Sequence, residues 1–154
     1  MKLYYYNLPF GAQLLLWTSR VAVHGSCRTN PNKYALIDIA YNKVGILDGS
    51  LLLKNFLKPL RQSSNFKLQP ICSTTLVETE INLINCLTEH RNKYVNNAYF
   101  IKLWNLDEHK DLFTYHSIQL ASEFKKVNLH TALCPGKYNK TFFNHEKNNH
   151  ITLH

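Results

Sequence analysis

The sequence predicts an all-α protein, a single compact bundle-like domain of five or six short helices. Apolar residues recur at spacings of three and four along most of the chain, as they do on one face of a helix. The 154 residues include only five glycines and five prolines, too few for the many turns of a sheet protein. With 45% hydrophobic residues, a chain of this length can bury a core without stabilising disulfides or metals.

The first half of the chain contains three helical repeats. The first comprises Phe10, Leu14, Trp17 and Val21. The second comprises Tyr34, Ile37, Tyr41 and Val44. The third comprises Leu52, Leu53, Phe56 and Leu57. Gly25 and Gly45 are placed to end the first two helices, while Asn30, followed by a proline, and Asp48 are candidate N-caps for the next two.

The second half begins after a polar connection over residues 61–71. Thr75 and Glu78 have the spacing of a capping box, in which each side chain satisfies a free backbone N–H. The apolar stripe of the helix that they would start comprises Leu76, Val77, Leu83, Ile84 and Leu87. Residues 99–104 are compatible with a short helix or a strand.

Asp107 or Asp111 is predicted to cap a last helix. Its apolar stripe comprises Phe113, Leu120, Phe124 and Val127. The half-apolar setting of His116 favours a partly buried histidine over a catalytic base, and residues 127–129 are expected to be extended. We therefore assign residues 1–130 to one helical domain and residues 131–154 to a basic, His- and Asn-rich, loosely ordered tail.

The formal net charge of +8 suggests an anionic partner. The candidate basic surface comprises Lys54, Lys58, Arg61, Arg91, Lys93, Lys125 and Lys126. Nucleic acid is the obvious partner for such a surface, although the arginines that suit base edges are few. The same lysine-rich composition would also arise from drift in an AT-rich coding sequence, so the charge leaves nucleic-acid binding as an alternative function.

Four cysteines in the chain are too few for a disulfide scaffold. Cys86 lies about eleven residues into the predicted helix, which places it roughly 16 Å along the axis from Cys72. Because the Cα atoms of a disulfide lie within about 7 Å, these two cysteines are not predicted to pair. Cys86 is interpreted as a small apolar residue near the core, and a distant partner for Cys72 is left open.

The chain is expected to be cytoplasmic, with reduced thiols. The apolar run 14–17 is short, and Arg20 interrupts what would be the core of a signal peptide. A membrane span is not predicted, because the chain has no run of about 18 apolar residues.

Three stretches carry a resemblance to a known family. LLLWTSR at 14–20, PICSTTLVETEINLINCL at 70–87 and FTYHSIQLASEFKKVNL at 113–129 resemble a small, uncharacterised family of helical proteins of alphaproteobacteria. Members of that family carry several cysteines just before the helix, whereas this chain has only Cys72 at that place. The resemblance implies a helical fold and no activity.

A zinc site is one further hypothesis. His24 and Cys27 have HxxC spacing, and His130 and Cys134 have HxxxC spacing. Together they could supply the four nitrogen and sulfur ligands that zinc prefers, although neither spacing matches a zinc finger. The competing interpretation places the first pair at a helix end and the second in the tail, with no metal and no cofactor bound.

No catalytic motif is present in the sequence. It has no glycine-rich phosphate loop and no nucleophile on a strained turn, and Glu78 and Glu80, two residues apart, cannot face each other on a helix. The first functional hypothesis is therefore a small non-catalytic protein that binds an unknown protein partner, with Tyr4–Tyr6 as a candidate aromatic surface. A nucleic-acid-binding regulator and a metal-binding or thiol-sensing domain are the alternatives.

Overall fold

A computed structural model describes residues 3–25, 32–92 and 97–133. The six helices in these ranges are α1 Phe10–His24, α2 Lys33–Lys43, α3 Gly49–Arg61, α4 Glu78–Asn92, α5 Asn97–Trp104 and α6 Lys110–Lys126. Single 3-10 turns cover Tyr5–Asn7 and Asp107–His109. Within the described ranges the sole β feature is an isolated antiparallel bridge between Tyr4 and Thr75. The predicted all-α class is confirmed.

The helices pack around one hydrophobic core. Helix α6 packs against α3 and α4, while α1 packs against α2, α3 and α4. The largest fully buried side chains include Trp104, Tyr41, Phe56, Phe100, Phe113 and Phe124. The aromatic rings meet mostly edge to face, an arrangement that adds to the free energy gained from their burial.

Helix α1 is buried on nearly every side rather than along one stripe. Thr18, Ser19 and Arg20 are as inaccessible as the apolar residues around them, whereas Phe10, predicted to be buried, is 59% exposed. The Thr18 hydroxyl donates to the carbonyl of Leu14 and lies 3.0 Å from the Tyr41 hydroxyl. Because α1 has neighbours on several sides, a single amphipathic stripe does not describe its burial.

The helix ends follow the predicted signals only in part. Gly25 ends α1 with a φ of 78°, as expected for a residue that tolerates the left-handed region. Helix α2 is capped by Asn32, whose side chain accepts a hydrogen bond from the N–H of Ala35, and not by the predicted Asn30. Asp48 occupies the N-cap position of α3 but forms no capping hydrogen bond.

The connecting segment, residues 62–77, runs across α1. Residues 61–71 are predicted to be a polar connection, yet Phe66 and Leu68 within them are buried. The guanidinium of Arg20 reaches this segment from α1: Nη1 donates to the Ser73 carbonyl at 2.8 Å and Nη2 donates to the Thr75 carbonyl at 3.0 Å. The backbone of a segment without regular structure is thus hydrogen-bonded to a helix side chain.

A buried ion pair joins Arg20 to Glu80 at the start of α4. Nε of Arg20 donates to Oε2 at 2.8 Å and Nη2 donates to Oε1 at 3.0 Å, and both side chains are inaccessible to solvent. The same carboxylate accepts from the backbone N–H groups of Gln69 and Val77. These extra bonds satisfy lone pairs of the carboxylate oxygens that the guanidinium alone would leave unpaired.

The start of α4 differs from the predicted capping box. The helix begins at Glu78, so Val77 is the N-cap and Glu80, not Glu78, is at the third helical position. The Glu80 carboxylate accepts from the Val77 N–H, which is one half of a capping box. Thr75 lies outside the helix because its carbonyl is bound to Arg20.

Helices α2 and α3 approach each other closely at Gly49. A Cβ atom at this position would collide with the Tyr41 side chain. Nearby, a side-chain oxygen of Asp38 accepts a hydrogen bond from the Ser50 N–H at 2.9 Å. Glycine at position 49 therefore fixes how near the two helices lie at this end.

The folded part extends past residue 130. Val127 and Asn128, predicted to be extended, form a turn in which Asn128 has a φ of 59°. Thr131 and Leu133 are buried, and the Thr131 hydroxyl lies 2.6 Å from that of Thr88. The remainder of the predicted tail, residues 134–154, lies outside the described residues.

Replacing Arg20 by Met should lower the free energy of unfolding by about 3–5 kcal/mol, because Glu80 would remain as a buried charge without its partner. Urea denaturation followed by circular dichroism measures this change. The double variant Arg20→Met/Glu80→Leu should recover only part of the loss, because neither charge is then buried but four backbone groups lose their partners. Lys126→Gln, which breaks an exposed ion pair, is the control. A loss for Arg20→Met no larger than that of the control would contradict the importance of the buried pair.

Candidate functional site

A cavity of about 570 Å³ lies between α2, α3 and the C-terminal half of α1. We call it the α3 cavity, because most of its lining belongs to that helix. Its charged lining residues are Lys54, Lys58 and Arg61. Among the described residues, none that line the cavity is acidic. The volume falls within the range of about 300–1,000 Å³ that is typical of small-molecule sites.

The spacing of the cations along α3 explains why they face one cavity. Lys54, Lys58 and Arg61 are separated by four and three residues, so they lie on one face of the helix. The opposite face carries Leu53 and Phe56, which are buried in the core. Burial of that apolar face therefore directs the three cations away from the core and towards solvent.

Two lysines contact the Tyr34 ring on the α2 side of the cavity. The ammonium of Lys33 lies 5.4 Å from the ring centroid, and that of Lys54 lies 5.6 Å from it. Lys33 also donates to the Ala22 carbonyl at 2.6 Å. That carbonyl belongs to the last turn of α1, where no intrahelical partner exists. The Lys33 ammonium is therefore already engaged in a hydrogen bond at the end of α1.

Lys58 and Arg61 are the free cations of the cavity. Both are exposed, and neither forms a hydrogen bond or ion pair with any residue that the structure describes. Their donors are available to a ligand without first breaking an interaction within the protein. They lie in the last turn of α3, where cations are also favoured by the helix dipole.

The predicted basic surface is divided in the structure. Lys54, Lys58 and Arg61 lie together at the α3 cavity. Lys125 and Lys126 lie at the end of α6, next to Val127, whose side chain would be 3.4 Å from a Cβ at Gly45. That end of the bundle is near the start of α3, about 18 Å from its last residue. Arg91 lies in the last turn of α4, and Lys93 is outside the described residues.

The two histidines of the predicted zinc site lie towards opposite ends of α1. His24 is at its C-terminal end, where a ring N–H bonds the Leu68 carbonyl at 2.8 Å. The backbone of His130 lies against Gly11, which is about 20 Å from His24 along the helix axis. The other two predicted ligands, Cys27 and Cys134, lie outside the described residues.

The four-residue zinc site stays a prediction. The described residues contain no group of three or more His, Cys, Asp or Glu side chains that could hold a metal ion.

The two described cysteines are in different states. Cys72 is disulfide-bonded, and Cys86 is free and buried. They do not pair with each other, as predicted, and Cys86 is a core residue as expected. The expectation that the thiols are reduced is wrong for Cys72. The distant partner left open for it lies outside the described residues.

Cys86 and His90 are neighbours on α4, yet they do not form a reactive pair. Burial and the nearby Glu89 raise the pKa of the Cys86 thiol well above its usual 9.0. A ring N–H of His90 donates to the Cys86 carbonyl at 2.8 Å, and burial lowers the pKa of the imidazole despite this bond. A neutral thiol without solvent access is not a nucleophile.

Comparison with family models, with curated proteins and with solved structures gives no match for this chain. The resemblance to a helical family of alphaproteobacteria therefore stays a prediction. In the described ranges no helix is long and apolar enough to cross a membrane.

The stability of the protein should fall as the pH drops below the usual His90 pKa of 6.5. In this range the unfolded chain binds a proton at His90 that the folded chain does not bind, so acid favours unfolding. His90→Gln should weaken this dependence between about pH 5 and pH 7, as measured by urea midpoints. His116→Gln, on the half-buried histidine of α6, is the control. Equal pH dependence in the wild type and His90→Gln would contradict the role of burial.

Proposed function

We propose that this chain is a non-catalytic binding protein whose α3 cavity receives an anionic group of its ligand. The observation that carries the proposal is the convergence of Lys54, Lys58 and Arg61 on one cavity whose described lining has no acidic residue. Hydrogen bonds between such cations and a phosphate or carboxylate are shorter and stronger than neutral ones.

The electrostatics of the whole chain support this function. A net charge of +8 raises the concentration of anions near the protein, and a concave wall focuses the field further. Lys58 and Arg61 require no rearrangement, since no described residue holds them. The arginine fork also suits two oxygens of one carboxylate or phosphate group.

Recognition of a partner protein, our first expectation from the sequence, is retained as a second candidate. Leu112, Tyr115 and Ile118 lie on α6 at spacings of three residues and are 57%, 57% and 48% exposed. Three large apolar side chains on one exposed helix edge are typical of a contact surface.

The Tyr115→Ser variant should weaken self-association or partner binding, as measured by light scattering. Ser122→Ala on the same helix is the control and should change neither. If Tyr115→Ser behaves like the wild type, this candidate is removed.

The compartment bears on either function. The cytoplasmic location expected from the sequence remains a proposal, and the disulfide at Cys72 counts against it, because glutathione and thioredoxin keep cytosolic thiols reduced. A thiol-sensing role is compatible with Cys72 and not with the buried Cys86.

Pyrophosphate is the probe for the proposed function. Its binding, measured by isothermal titration calorimetry, should weaken at least about 100-fold in Lys58→Gln/Arg61→Gln, because two charged hydrogen bonds are lost and each is worth about 1.5–3 kcal/mol. Binding by the wild type should also weaken as salt is added.

Lys43→Gln/Lys67→Gln is the matched control, because it removes the same charge from exposed positions outside the cavity. Circular dichroism establishes that each variant is folded. If the control loses as much affinity as the cavity variant, then general charge rather than the α3 cavity accounts for binding.

A further inference from the structure

We infer that the ligand of the α3 cavity is a small amphipathic anion, in which a phosphate or carboxylate group is joined to an apolar body. This inference rests on the proposed function and names the class of ligand that the same site takes. It is carried by the size of the cavity, by the residues that line it along α3, and by the separation of Lys125 and Lys126 from the cavity.

The size of the cavity exceeds what an inorganic anion needs. A water molecule accounts for about 30 Å³ of liquid volume, and a phosphate ion is only a few times larger. A cavity of about 570 Å³ therefore has room for a further group attached to the anion. Burial of that further group would add to the affinity that the charged head provides.

The cavity lining along α3 begins with Leu51 and ends with Arg61 and the C-cap Gln62, with Lys54, Asn55, Leu57 and Lys58 between them. Leu51 lines the start of the cavity and is 57% exposed, while Arg61 lines its other end, about 15 Å away along the helix. Leu57 and Ala22 add buried apolar atoms to the wall. An elongated ligand can thus place its anionic head at Lys58 and Arg61 and its apolar body along Leu51.

Exposure of Leu51 has a physical cost that such a ligand would remove. A large aliphatic side chain left in water loses the free energy that burial provides. Among the other lining residues, Tyr34 has its ring already in contact with Lys33 and Lys54. Because Leu57 and Ala22 are almost fully buried, Leu51 supplies the exposed aliphatic surface for the apolar body.

A nucleic-acid strand fits the described cations less well. A polymer follows cations spaced along its path, whereas Lys125 and Lys126 lie at the end of the bundle away from Arg61. Lys58 and Arg61 lie three residues apart on one face of α3, close enough to bind a single anionic head.

The test compares inorganic phosphate, butyl phosphate, octyl phosphate and a short oligothymidine by isothermal titration calorimetry on the full chain. Because each buried methylene strengthens binding by up to about fourfold, octyl phosphate should bind at least about 10-fold more tightly than butyl phosphate. Leu51→Gln should reduce that ratio and leave the affinity for inorganic phosphate unchanged. Leu47→Gln, at a leucine that is 74% exposed and outside the cavity lining, is the matched control and should change neither.

Each result has a distinct meaning. Affinity that does not grow with chain length overturns the inference, while loss of phosphate binding in Lys58→Gln/Arg61→Gln would still support the proposed function. Oligothymidine that binds more tightly than octyl phosphate, and depends on Lys125 and Lys126, overturns the inference in favour of nucleic acid. Absence of binding by every probe, pyrophosphate included, overturns both.

Discussion

The Arg20–Glu80 ion pair is the interaction on which the arrangement of this chain depends. Two charges have been removed from water, and such a pair is stable only when the remaining donors and acceptors also find partners. Here the guanidinium also binds two carbonyls of the connecting segment, and the carboxylate also binds two backbone N–H groups. The pair therefore joins three parts of the chain: α1, the connecting segment and the start of α4.

This constraint explains why a segment without regular structure can cover a helix. Backbone groups buried outside helices and sheets must find other partners. Ser73, Thr75, Gln69 and Val77 find them at Arg20 and Glu80. Phe66 and Leu68 can then be buried in the same segment. An apolar pair of equal size would fill the volume but would leave those backbone groups unsatisfied.

The fold class was predictable because periodic apolar residues require no knowledge of their partners. Most helices appear close to the expected places, and Leu14, Ile37, Leu83 and Phe124 are buried as their spacing indicates. The features that the sequence did not predict depend on contacts between distant residues. The burial of Arg20 depends on a carboxylate 60 positions away, a relation that no local pattern contains.

The candidate site was predictable in the same limited way. The cations of α3 could be named, and their spacing alone places them on one face of a helix. Their separation from Lys125 and Lys126 could not be foreseen, because it depends on how α6 lies against α3. Tyr34 was assigned to an apolar stripe, and its contact with Lys54 requires α2 and α3 to pack together. The disulfide of Cys72 requires a contact that its neighbours in sequence do not indicate.

The close approach at Gly49 has a consequence for the width of the α3 cavity. Gly49 does not line the α3 cavity, yet a side chain there would push Tyr41 and so separate α2 from α3. The gap between these helices sets the width of the cavity, because Tyr34 and Leu51 lie on its two walls. Under the proposed function, the width available to a ligand would therefore depend on a residue that does not line the cavity. A side chain at position 49 would alter discrimination between narrow and wide ligands without replacing any residue that lines the cavity.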